Sequence, residues 1–153
     1  VFLKSFFESI NRIFYMTIIV PQQNITQTLT LNQAQLLALL SGFTVAPAVS
    51  GYINVFQKSS ISYRFGTTVF TNTNNVLSFK LGSTVVSNSL NATNILGLAQ
   101  STSISFSPAN PYSGSMASAA NTALTFNIDT ANILGGDITS TLSITFTYSV
   151  FAA

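Results

Sequence analysis

The side chains able to do acid–base or metal chemistry in this sequence are few enough to name. Asp129 and Asp137 are the only carboxylates after Met16, and Glu8 is the only one before it. Lys58, Arg64 and Lys80 are the only bases after Arg12, with Lys4 upstream, and there is no His and no Cys. Two carboxylates are enough for a glycosidase, one as general acid and the other as base or nucleophile. Yet Asp129 ends a strand-like run, and Asp137 follows Gly135-Gly136, where Asp is a favoured turn residue. Both are expected in turn or capping roles. A calcium site drawing on the pair needs further oxygen ligands, and the spacing matches no known calcium loop. A Ser-Lys dyad through Lys58 or Lys80 is disfavoured, because both lie in strand patterns as outward residues. With no His to act as base, the many Ser and Thr hydroxyls lack the usual activating partner. No Gly-rich loop precedes a helix in the manner of a phosphate site. The expectation is a non-enzymatic chain with no catalytic residue, no metal site and no cofactor.

Binding is the remaining chemistry. The segment Asn110-Pro111-Tyr112-Ser113-Gly114 places an aromatic ring on a loop, where it can stack on a sugar or pack on a neighbouring subunit. Tyr112, Asn110 and Tyr52 are the candidate ligand or subunit contacts. Asn24-Ile-Thr and Asn91-Ala-Thr match the glycosylation sequon, a pattern that arises readily by chance in a chain so rich in Asn and Thr.

Of the 153 residues, 5% are charged, 47% hydrophobic and 12% aromatic, with 13 Phe. A chain of this length buries about 70% of its unfolded surface, so a real core is expected. A small soluble domain carries roughly 25–35% charged residues on its surface, far more than this one. Charges also guard exposed strand edges against pairing with other chains. The neutral surface therefore predicts a homo-oligomer. The net charge of +2 comes from dispersed bases, which argues against nucleic-acid binding. No run reaches the roughly 18 apolar residues of a membrane span.

Residues 1–15 differ from the rest. Leu3, Phe6, Phe7, Ile10, Ile13 and Phe14 follow the spacing of one apolar helical stripe, with Lys4, Glu8 and Arg12 among them. Three readings stay open: an amphipathic surface or partner-binding helix, a signal peptide, or an over-extended start with translation beginning at Met16. The remaining residues, 16–153, read as one domain.

From residue 25 the apolar period is two. Ile25, Leu29 and Leu31 share one strand face, and Asn32 caps a short helix running to Leu40 and closed by Gly42. Gly51–Gln57 and Ser60–Phe65 read as two strands. Val76–Leu81 puts Leu77, Phe79 and Leu81 inward, with Ser78 and Lys80 outward, and Gly82-Ser83 turns into Thr84–Ser87. A short helical piece is expected near Asn91–Ala99. Ser101–Ser107 and Ala123–Asp129 are further strands, Ile133–Asp137 is a turn, and Ser140–Phe151 is the cleanest alternation of all. About eight short strands with regular turns predict an all-β fold, an antiparallel β-sandwich of jelly-roll type with one or two short helices besides the N-terminal one.

The order of these segments resembles that of small virion proteins of tailed phages and prophages. The pieces are TLTLNQAQLLAL (Thr28–Leu39), SISYRFGTTVFTNTNN (Ser60–Asn75), NILGLA (Asn94–Ala99) and GGDITSTLSITFTYSVF (Gly135–Phe151). The likeness covers roughly residues 25–151. It lacks a Gly-rich basic turn before Gly51, and nothing in it corresponds to the residues before Met16. The resemblance implies a virion-associated β-sandwich, plausibly trimeric, that decorates a head or forms part of a fibre or tail beside other virion proteins. A sugar- or receptor-binding module at a fibre tip, and a surface-filament subunit at the cell exterior, are the alternatives.

Overall fold

The computed structural model describes residues 23–109 and 120–153. The expectations placed on residues 1–15, and on Asn110 and Tyr112, lie outside the described residues. In chain order the described strands are β1 (Gln23–Leu31), β2 (Phe43–Ala46), β3 (Tyr52–Arg64), β4 (Phe70–Thr71), β5 (Val76–Leu81) and β6 (Thr84–Val85). They continue with β7 (Leu90–Asn91), β8 (Thr102–Phe106), β9 (Leu124–Ile128), β10 (Leu134–Gly135) and β11 (Thr141–Ala152). One helix, α1 (Gln33–Leu37), and the 3-10 turns Leu39–Ser41 and Ala92–Asn94 complete the set.

The first sheet has the order β1-β11-β3-β8, antiparallel throughout. Period-two alternation gives each of these strands one apolar face. The register aligns those faces into rows, such as Leu29, Ile144, Ile61 and Ile104 across all four strands. The second sheet has the order β2-β9-β5-β6, with β7 also on β5. Lys80 pairs with Val85 and Leu77 with Leu90, on the same side of β5, so β6 and β7 are two pieces of one interrupted strand. With β4 and β10 set aside as a small two-stranded ribbon, the chain visits the sheets in the sequence first, second, first, second, second, first, second, first. That path and strand order are those of a jelly roll.

The core lies between the sheets and is aromatic. Phe79 of β5 stacks on Phe56 of β3 at 4.6 Å and meets Phe126 at 5.0 Å and Phe106 edge-on at 5.3 Å. Phe56 and Phe106 come from the first sheet, Phe79 and Phe126 from the second, and all four are buried. Such offset and T-shaped contacts add to the gain from burying the rings.

Several local features depart from the sequence reading. The two runs expected at Gly51–Gln57 and Ser60–Phe65 merge into one thirteen-residue strand, β3, which begins at Tyr52 and ends at Arg64. Thr147 pairs with Lys58 and Tyr148 with Phe56, leaving Gln57 as the extra residue of a β-bulge. The bulge reverses the phase, so Phe56 points inward before it and Ser59, Ile61 and Tyr63 after it. The helix after Asn32 stops at Leu37 and resumes as a 3-10 turn ending at Gly42, whose φ is 80°. Its entry is a capping box: Asn32 Oδ1 accepts from Gln35 N at 3.0 Å and Gln35 Oε1 accepts from Asn32 N at 2.9 Å. Ile133–Asp137 is more than a turn, because Leu134 and Gly135 pair with Thr71 and Phe70. Gly136, at φ 72°, lies so close to Phe70 that a Cβ there would sit 2.3 Å from the ring. Ser78, expected outward, is fully buried.

Phe79→Ala is expected to destabilise the fold by about 3–5 kcal/mol, read as a fall in the urea midpoint. Asn32→Ala is expected to cost about 1 kcal/mol by the same measurement, since it removes the cap and leaves the packing intact.

Candidate functional site

The outer face of the first sheet is the most uniform chemical surface among the described residues. Register places Thr26, Thr147 and Lys58 in one row, and Thr28, Thr145, Ser60 and Ser105 in the next. Thr30, Ser143, Ser62 and Ser103 form a third, followed by Thr141 and Arg64. Apart from Lys58 and Arg64, every position in these rows is Ser or Thr. The hydroxyls bond across strands: Thr26 to Thr147 at 2.9 Å, Thr28 to Thr145 at 2.8 Å, Thr30 to Ser143 at 3.1 Å, and Ser103 to Ser62 at 3.2 Å. A hydroxyl donates once and accepts twice, so each bonded pair retains capacity for an outside partner.

A groove of about 490 Å³ opens on this face where β8 leaves β3. β8 pairs with β3 only over Ser59–Tyr63, and beyond it the chain bridges Ser87 to Pro108 on the other sheet. Thr26, Lys58, Ser60, Thr145, Thr147 and the Ser105–Ser107 stretch line the groove, with Ser59 among them. Ser59 is buried, and its hydroxyl has no hydrogen-bond partner among the described residues. Its side chain lies on the inward face with Ile61 and Tyr63, so it borders the groove through its backbone side and does not present its hydroxyl there. No hydrogen bond among the described residues joins Lys58 to a serine.

Tyr52 opens β3 and is half-buried. Its carbonyl accepts from Asn121 N at 3.0 Å, and Asn121 Oδ1 accepts from Gly51 N at 2.6 Å. Ser107 lines the groove and Asn121 lies beside Tyr52. Leu134 and Ile138 are 57% and 81% exposed, and Leu40, whose N donates to Asn132 Oδ1 at 3.1 Å, is 43% exposed near the same turn. Sequence periodicity did not single out these exposed apolar side chains. Among the described residues no helix is long and apolar enough to cross a membrane.

Each of the two carboxylates has its own structural employment. Asp129 forms an ion pair with Lys80, the strand residue expected to point outward. Asp137 accepts from Thr139 N at 2.6 Å, from Thr139 Oγ1 at 2.5 Å and from Thr67 Oγ1. The Thr139 and Thr67 hydrogen bonds favour the carboxylate form and lower its pKa from 3.8 to about 2. Among the described residues no cluster of three or more His, Cys, Asp or Glu is poised around a metal.

Ser59 escaped the sequence reading because the alternation reverses at Gln57, and only the bulge reveals which side it faces. The Thr and Ser positions of the outer face were visible as alternation, but their cross-strand pairing needed the register.

Because the folded pKa of Asp137 is depressed, its contribution is present above about pH 3.8 and is lost as pH falls towards about 2. Asp137→Asn is expected to lower the thermal midpoint at pH 7, with the difference from wild type closing as pH approaches 2. Equal midpoint differences at both pH values would contradict this. No family model matches the chain, no curated protein matches it and no solved structure matches it.

Proposed function

We propose that this chain is a non-enzymatic structural subunit of a phage-type virion, a head-decoration, head-fibre or tail-associated protein that works as a homo-oligomer, a trimer being the favoured number. The observation that carries the reading is a jelly roll whose surface is neutral and hydroxyl-coated, with large apolar side chains left exposed at Leu134 and Ile138. Jelly rolls build viral capsids and also sugar-binding lectins. A fold hosts many functions, so the surface has to choose between them. Exposed apolar residues on a surface poor in charge favour burial against copies of the same chain or other virion proteins.

The groove beside Ser59 favours a second reading, a sugar- or receptor-binding module at a fibre tip. The hydroxyl rows that line it suit a ligand that is itself rich in hydroxyls.

Light scattering over a range of concentrations is expected to give a defined oligomer, a trimer in the first instance. Leu134→Asp combined with Ile138→Asp is expected to shift it towards monomer with the fold retained, because both side chains are exposed. A monomer at every concentration would reject the assembly reading. A glycan array without hits would reject the second.

A further inference from the structure

The sheet edges of this sandwich are unequally protected. β8, at one side of the first sheet, has five residues. β2, at the edge of the second, has four and is bulged between Thr44 and Ala46. The opposite edge of that sheet is broken into the two-residue strands β6 and β7. Short, bulged and interrupted edges are the usual means of preventing strands from pairing with other chains. β1 uses none of these means. It has nine residues, about 30 Å of strand, paired with β11 in unbroken register. It contains no Pro and no charge, and no described strand pairs with its other side. Asn24, Thr26, Gln27, Thr28 and Thr30 are exposed.

The sequence of β1 is also close to its own mirror image. Around the central Gln27 it reads Ile25-Thr26-Gln27-Thr28-Leu29. We infer that β1 is a docking edge for the β1 of a second copy, paired antiparallel about a two-fold axis at Gln27. That register sets Ile25 of one copy opposite Leu29 of the other, both only partly buried in the single chain. It sets Thr26 opposite Thr28 on the outer side, where the hydroxyl rows then run on across both copies. Residues of equal parity meet, so side chains share a face and backbone groups that point outward meet their counterparts. No pair in this contact is charged, so no like charges oppose each other. The contact is isologous, as two-fold symmetry requires. Combined with a three-fold contact elsewhere, it yields a hexamer or a lattice. The inference rests on the self-assembly reading above and adds where one contact lies.

The chain has no Cys, so introduced thiols report cleanly. In the Gln27-centred register Gln27 faces its own copy. Gln27→Cys is expected to form a disulfide-linked dimer under mild oxidation roughly tenfold or more faster than Ser83→Cys, a control in the exposed β5–β6 turn. Thr26→Cys and Thr28→Cys alone are expected to link no faster than the control, whereas the double variant links as Gln27→Cys does. Faster linking through Thr26→Cys or Thr28→Cys alone overturns the register. An assembled wild-type protein whose Gln27→Cys variant links only at the control rate overturns the edge contact and leaves self-assembly standing. A monomer at every concentration with control-rate linking removes both.

Discussion

The two sheets meet through Phe79, and the fold depends on that meeting. The ring touches Phe56 and Phe106 from the facing sheet and Phe126 from its own. A chain with so few ionic groups has little else with which to select one packing from many. The ion pair between Lys80 and Asp129 is partly exposed, and such pairs contribute little. Shape therefore does the selecting: rings in edge-on and stacked contact tolerate few alternative arrangements at interior packing density.

How much of this was readable in advance follows from the period of the chain. Leu77, Phe79 and Leu81, or Leu142, Ile144 and Phe146, announce their faces because nothing interrupts the alternation, and all of them are buried. The Asn32 cap was equally legible, since a capping residue and its Gln partner lie three positions apart. Reading failed where one residue was inserted. Gln57 splits a single strand into two runs of opposite phase, which look like separate strands until the partner β11 shows that pairing continues. The outer hydroxyl face lay between these cases. Its residue types were plain, but its rows exist only through pairings between distant strands, such as Thr26 with Thr147.

A hydroxyl-coated sheet differs physically from the charged surface of most small domains. Hydroxyl contacts are short-ranged and little affected by salt, whereas exposed charges act over about a Debye length and are screened. A surface of this kind does not steer partners from a distance.

The position of β11 has a kinetic meaning. It lies between β1 and β3 in the first sheet, so the earliest described strand pairs with nothing until the last has been made. On the ribosome, β1 must wait for more than a hundred further residues to emerge before its β11 side is covered. Non-local pairing of this sort is slow. During that interval an uncharged strand stands open on both sides, the condition in which chains are prone to premature association.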